Sequence, residues 1–481
     1  MALLRTNQSS INLAISLGFG ILLTLLAWIV EVAFLPIAVL IPFVLAAALL
    51  NPKHVFFLAV SLLPISRSVD FGSGLSLSFP SEPLLIFLSF VVLIEMVYGK
   101  KTRSELLAKP IILALLLYLV WIGITTLTSQ TPLLSVKYLL AKTWFVIPAI
   151  LGCLLYVRSW KDIKRILWTF HGVLSFTVLW TLLRHSLSGF AFDQVNFTMT
   201  PFYPNHVDYA VVITMFLPFN LWLYSEAPTR GSKRYLLLST VIFLLAIYLS
   251  YTRACYVAVC FEIIVYFCLK MRGMKLAIPL AFAIIVGFIG FVLHENQYLQ
   301  YTPSTSTVMH DEFSDHVSST FEGKDVSSME RIYRWVAGGH MIADKPWLGF
   351  GPNGFVPNYR EYTVFIFETW VSDNTEQSTV HNYYMLQAIE LGIPGLLLFL
   401  TIIILFFLEI ERIYSKENEN RKGLFSLVLG VSMSSIVINN MFGDLIETDK
   451  VGFFFFVLIG LLVIIPRLSE DYSMQRKTTY D

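Results

Sequence analysis

The sequence predicts an all-α integral membrane protein, and three observations carry that prediction. Of 481 residues, 56% are hydrophobic and only 14% are charged, where a soluble domain carries about 25% charged residues. Apolar stretches long enough to cross a bilayer, roughly 20 residues each, recur along the whole chain. They are unbroken rather than alternating, which selects helices over the strands of a β-barrel. The same composition excludes a disordered chain. With 34 basic against 33 acidic residues and a net charge of +1, a nucleic-acid binder is not expected.

In chain order the spans are expected at 11–30, 32–50, 54–66, 83–98, 110–127, 138–156, 166–183, 206–224, 235–250, 254–269, 276–293, 381–408, 424–440 and 451–466. That is about 14 spans, or about 12 if the short span at His54 and the Lys142-bearing span at Tyr138 are set aside. The positive-inside rule orients them. Lys100, Lys101, Arg103 and Lys109 cluster in one connection, and Arg158, Lys161, Lys164 and Arg165 in another. Arg230, Lys233 and Arg234, then Lys270, Arg272 and Lys275, then Lys416, Arg421 and Lys422 fill three more. With 14 spans all of these fall on one side, together with both termini and the tail residues Arg467, Arg476 and Lys477, so both ends are expected in the cytoplasm. No cleavable signal is expected, because the first span runs straight into a second apolar segment. The expected division is N-terminal membrane helices over 1–200, central helices over 201–293, a large non-cytoplasmic loop over 294–380, C-terminal helices over 381–466 and a tail over 467–481.

Cys153, Cys255, Cys260 and Cys268 all fall inside expected spans, so packing rather than a disulfide framework is their expected role. No period marks a repeat. The 294–380 loop is far longer than the 12–15 residues beyond which a connection is usually functional or disordered. Its first part, 302–328, is polar, and His310, Asp311, Asp315 and His316 there read as a solvated loop rather than a metal cluster. From 329 to 343 the apolar residues Ile332, Trp335, Val336, Met341 and Ile342 recur at helical spacing. Then three glycines and two prolines within the ten residues 346–355 force turns, while the aromatic side chains beside them give the turns something to bury.

Fewer basic residues remain on the non-cytoplasmic side. Arg253 stands at a span end, where it either anchors at the surface or meets a ligand. Arg331 and Arg334 open the amphipathic stretch, and His381 opens a span, where the helix dipole favours a neutral ring. A neutral imidazole can orient or deprotonate a hydroxyl. Arginines bind phosphate oxygens with a bidentate fork and can stabilise charge on a departing diphosphate. Together these residues suit glycosyl transfer from a lipid diphosphate at the outer leaflet. His206 and Asp208, two residues apart, point to different helix faces and do not suggest a metal pair. No phosphate-binding Gly-rich loop is present, so nucleotide hydrolysis is not indicated.

His381-Asn382, nine further residues and then Gly392-Ile393-Pro394-Gly395 resemble a motif of the O-antigen ligase and polymerase superfamily of bacterial membrane glycosyltransferases. The run from Arg331 through Trp335 to Pro346-Trp347-Leu348-Gly349-Phe350-Gly351 is similar to the stretch ahead of that histidine in the family. Ser250-Tyr251-Thr252-Arg253-Ala254 looks like its arginine junction, and Pro204 to Ala210 resembles another of its span starts. The resemblance covers about residues 200–400. It implies a GT-C-type glycosyltransferase with 12–14 transmembrane helices and one large periplasmic loop, inverting, metal-independent and without a cofactor, in the bacterial inner membrane with its site facing the periplasm. Donor and acceptor would be an undecaprenyl diphosphate-linked glycan and either lipid A core, for a ligase, or a second lipid-linked glycan, for a polymerase. Carried over residue by residue, Arg253 and Arg331 would bind the diphosphate, and His381 would activate or orient the acceptor hydroxyl. Arg334, Arg184, His206, Tyr251 and Asn382 are further substrate-binding candidates. Eleven residues beyond Arg331 stands Ile342, and eleven beyond Arg334 stands Lys345, so neither follows the arginine-to-glycine spacing of the polymerases. That tips the resemblance toward a ligase, with a polymerase as the alternative. A transporter of lipid-linked glycans would instead place its ionisable residues near mid-membrane.

Overall fold

The computed structural model describes residues 51–70, 76–98, 108–295, 299, 326–368, 372 and 378–468. The spans expected at 11–30 and 32–50, Lys100, Lys101 and Arg103, the His310–His316 stretch, and Arg476 and Lys477 lie outside them. Every other expected span is helical. The chain is an all-α multi-pass membrane protein, with ten helices among the described residues long and apolar enough to cross a bilayer.

A short helix, α1 (Pro52–Leu62), leads into a two-stranded antiparallel hairpin, β1 (Arg67–Asp70) and β2 (Ser76–Phe79). Then come α2 (Ser81–Tyr98), α3 (Pro110–Leu127), α4 (Pro132–Tyr156), α5 (Trp160–Leu187), the short α6 (Val195–Met199), α7 (His206–Glu226), α8 (Arg230–Leu249), α9 (Arg253–Lys270) and α10 (Met274–Leu293). The long loop contributes α11 (Val326–Asp344) and the single turn α12 (Phe355–Asn358); α13 (Tyr383–Glu417), α14 (Arg421–Asn439) and α15 (Asp449–Ile464) complete the bundle. Helix α9 carries Arg253, Glu262 and Lys270, one charge more than a plain apolar span. Helix α4 begins six residues before the expected 138 because Pro132 supplies the fixed φ suited to a first turn. A capping box between Ser159 and Asp162 likewise starts α5 ahead of its apolar run.

Helix α15 is the centre, with 89% of its window buried; α7 and α14 flank it with 83% and 72% buried. Rings knit α5, α7 and α15 together: Phe170 on α5 stacks on Phe216 of α7 at 4.7 Å, and Phe454 of α15 lies 5.4 Å from Phe170. The described basic clusters of the short connections, from Arg158 to Lys422, gather at one end of the bundle. His381 and the long loop lie at the other.

The decisive departure from a plain bundle is inside α13. Gly392 has φ +70° and ψ 176°, and Pro394 follows without an N–H. In a straight helix, Tyr383 and Phe399 would stand about 24 Å apart at 1.5 Å per residue; here their rings are 5.0 Å apart. The helix folds back on itself. The break strips carbonyls of their helical donors, and inside an apolar bundle such groups must find new partners. They do. Phe350 N–H donates to Ile389 O at 2.9 Å, Gly351 N–H to Glu390 O at 2.9 Å, and Trp121 Nε1 to Leu391 O at 2.8 Å. The amide freed at Ile393 donates to Pro346 O at 2.8 Å. The glycine-rich 346–354 turn is therefore docked on the break through backbone, which explains why both segments need glycine. A Cβ at Gly392 would fall 2.2 Å from Trp347 O, and one at Gly349 would fall 2.5 Å from Glu390 O.

Gly392→Ala is expected to lower the apparent melting temperature of the purified protein by several degrees, since a left-handed alanine alone costs ~1–2 kcal/mol and the clash adds to it. Gly339→Ala, at a helical site with nothing within 4 Å of the added Cβ, is expected to leave that temperature unchanged or raise it. Equal shifts in a thermal-unfolding assay would show that the docked break is not what the glycine serves.

Candidate functional site

The docked turn fixes how α11 lies along the first arm of α13. Gly338 of α11 faces Ile389 and Met385, where an added Cβ would meet their side chains. At the near end, Trp335 Nε1 donates to Val380 O at 3.0 Å and Arg334 Nη1 to Thr379 O at 3.3 Å. Residues 334, 335, 338 and 346 thus meet 379, 380, 389 and 393 in turn, so the two segments run parallel. Parallel alignment brings Arg331 and Arg334 to the end where His381 begins.

His381 itself sits at φ +53°, a conformation that costs a non-glycine residue roughly 1–2 kcal/mol and persists only when its surroundings enforce it. Clamps hold both flanks. On one side, Thr379 hydrogen-bonds the Asp444 carboxyl, which burial holds above the usual carboxylate range. On the other, Tyr383 N–H donates to Asn440 O at 2.8 Å. Burial, and after it the charges of Arg334 and Arg331, push the imidazole down to about 4. The ring is neutral at physiological pH and is held within reach of two guanidinium fields.

Arg253 arrives by a different route. It opens α9, and Cys255, two residues on, meets Asn439 with Sγ to Oδ1 at 3.5 Å. The neighbouring Asn440 is the residue that receives Tyr383 N–H. Helices α9 and α13 therefore start on consecutive residues of α14. Helix α7 joins them, since Thr252 Oγ1 donates to His206 O at 3.3 Å. The first turns of α7, α9 and α13, each with the partial positive charge of a helix N-terminus, are thus linked through Thr252, Asn439 and Asn440.

The other expected residues have visible local work. Asn382 is the N-cap of α13, its side chain accepting from Met385 N–H at 3.0 Å. Tyr251, at φ +55°, donates its hydroxyl to Phe190 O at 2.7 Å. His206 Nδ1 lies 2.7 Å from Asn196 Oδ1. Arg184 donates to Thr200 Oγ1 and Phe197 O and covers the Phe197 ring, which ties it to α6. The four cysteines are free thiols. Among the described residues no group of three His, Cys, Asp or Glu side chains is placed to hold a metal ion.

Residues 238–400 match the family model described as O-Antigen ligase. The chain carries an O-antigen ligase-like domain. That domain supports a membrane glycosyltransferase of the O-antigen ligase and polymerase type. It contains Arg253, Arg331, Arg334, His381 and the Gly392 break, and it ends before Asn440 and Asp444. No curated protein matches the chain. Sequence reasoning missed Thr379, Asn440 and Asp444, whose link to His381 is made only by folding. It also placed the ionisable residues at the surface, whereas Lys142, Glu262 and Glu390 are buried inside spans. Lys142 had given a signal as a lone charge in an apolar run.

Because the imidazole is held down, the protonated form is absent until well below the ordinary histidine range of about 6.5. In kcat/KM, which reports the substrate-free enzyme, activity that depends on the neutral ring is expected to persist to about pH 5 and fall toward the depressed value. Arg334→Gln removes one of the charges that lowers it, so the acid limb of the pH–rate profile should move to higher pH. An acid limb already near 6.5 in the unaltered protein would contradict this electrostatic picture.

Proposed function

We propose that this protein transfers a glycan from undecaprenyl diphosphate to a sugar hydroxyl at the periplasmic face of the bacterial inner membrane, acting as an O-antigen ligase on lipid A core. The observation that carries the reading is a His381 ring kept neutral by burial and by the charges of Arg334 and Arg331, with Arg253 opening a helix that packs against the residue next to the Asn440 that receives Tyr383 N–H. Such a place suits an anion on one side and a hydroxyl on the other.

In the proposed step the acceptor oxygen attacks the anomeric carbon on the face opposite the diphosphate. The bond from that carbon to the diphosphate oxygen breaks, and its electron pair leaves on undecaprenyl diphosphate. The hydroxyl proton passes to the His381 imidazole, and the anomeric configuration inverts. Arg253 and Arg331 hold the diphosphate and stabilise the charge that grows on it, a role in which fixed donors are most effective. Arg334 holds the His381 segment and adds its field. Donor binding places negative charge between these arginines and the ring, so it offsets their depressing effect and raises the imidazole's basicity when the substrate is present. The ligase reading over a polymerase rests on the spacing from His381-Asn382 to Gly392 and on the missing arginine-to-glycine spacing beyond Arg331 and Arg334.

Arg331→Lys is expected to lose ~10–100-fold in kcat/KM, because a point charge does not reproduce the guanidinium fork at a developing oxyanion; full activity would leave a charge-only role. Deletion of the gene followed by analysis of lipid-linked and surface glycans separates the acceptors. Long chains accumulating on the carrier are the ligase result. A single repeat on the core would make the protein a polymerase, and labelled lipid-linked glycan moved across the membrane without a new covalent acceptor would make it a transporter.

A further inference from the structure

The loop between α14 and α15 does two things for His381: Asn440 receives Tyr383 N–H, and Asp444 meets Thr379. What holds the loop is a charge in the bundle interior. Lys142 lies well inside α4 with a side chain only 2% exposed, and its ammonium contacts Glu447 Oε1 at 3.0 Å and Ile446 O at 3.2 Å. Tyr138 donates to the same Glu447 oxygen at 2.9 Å. The Lys142 ammonium also lies over two rings, 5.1 Å from the centroid of Tyr138 and 5.7 Å from that of Tyr383. Asn440 Oδ1 closes the loop by accepting from Ile446 N–H at 3.4 Å.

An apolar residue of similar length would fill the Lys142 site without desolvating an ammonium, which costs several kcal/mol per buried ion. A buried pair is therefore poorly explained by stability alone. Its geometry offers another account. Lys142 grips the loop at Ile446 and Glu447, the loop grips residues 379 and 383, and those flank the one residue held at φ +53°. The Lys142 and Glu447 charges also act in opposite senses on Asp444. We infer that Lys142 and Glu447 are a positioning pair, holding the 440–447 loop so that His381 keeps its strained backbone and its aim at the acceptor hydroxyl. The inference rests on the transferase reading above, and neither residue lies in the stretch matched by the family model.

The test compares Lys142→Met, Glu447→Gln and the double variant in detergent-purified full-length protein. Glu447→Gln leaves a buried lone ammonium and Lys142→Met leaves the partly exposed Glu447 carboxylate unpaired, whereas removing both leaves neither, so the double variant should recover the melting temperature that each single change lowers, Glu447→Gln the more. Hydrogen exchange at the Tyr383 amide is expected to rise at least tenfold in Lys142→Met, while the amides of Phe350 and Gly351 at the docked turn stay as protected as before. In transfer assays all three variants should lose at least tenfold in kcat with donor KM within twofold, the double variant included. Recovery of kcat together with the melting temperature in the double variant would make the pair merely structural and overturn the inference. So would an unchanged Tyr383 amide, whatever the activity. The unaltered protein run alongside reports on the transferase reading separately: its inactivity with a lipid diphosphate glycan would count against that reading, while the exchange measurement would still decide whether the pair holds the loop.

Discussion

The structure depends on a hydrogen-bonding obligation that a break in a membrane helix creates. Once Gly392 leaves the helical region and Pro394 withholds its N–H, backbone groups in an apolar bundle lose their partners. Leaving even one unmade would cost ~1–3 kcal/mol. The 346–354 turn and Trp121 meet the obligation from two different parts of the chain. The consequence is positional. The 346–354 turn of the long loop is bonded to the bundle, and α11 is set parallel to the arm that begins after His381.

From that alignment the electrostatics follow. A histidine next to a helix start, half-buried, and faced by two arginines has every reason to stay neutral. The cost of placing it there is met by the clamps at Thr379 and Tyr383, and these depend in turn on the loop between α14 and α15. Cationic side chains, helix N-termini and a neutral base at one place form an arrangement suited to an anionic leaving group and an incoming hydroxyl. The O-antigen ligase-like domain that holds the histidine and these arginines supports a membrane glycosyltransferase.

Much of the fold was legible because its cause is local. Span after span was visible as apolar length, the amphipathic α11 as spacing, and the 346–355 turn as a density of glycine and proline. Arg253 and Arg331 could be singled out because few basic residues lie outside the basic clusters at the opposite end, and His381 because it opens a span. What could not be read depends on contacts between distant residues. The glycines of 392–395 were visible as a motif, but the sharp break there and the backbone docked on it were not, because a turn some forty residues away supplies the missing donors. Asn440 and Asp444 are ordinary polar residues after a span until the fold sets them beside residues 379 and 383. Lys142 was visible only as an anomaly, since its partner Glu447 lies 305 residues further along the chain. Arg184 shows the reverse: a charge that stood out in the sequence is bonded to its own loop.

The central claim is that His381 acts on an acceptor hydroxyl while the arginines hold a lipid diphosphate. Its most direct test is reconstituted transfer from one defined undecaprenyl diphosphate glycan, with the anomeric configuration of the product read by nuclear magnetic resonance, in the unaltered protein and in His381→Ala. The account predicts a product of inverted configuration from the unaltered protein, and a loss of at least ~100-fold in His381→Ala with the donor still bound. Transfer by His381→Ala at the normal rate, or a product of retained configuration, would contradict it.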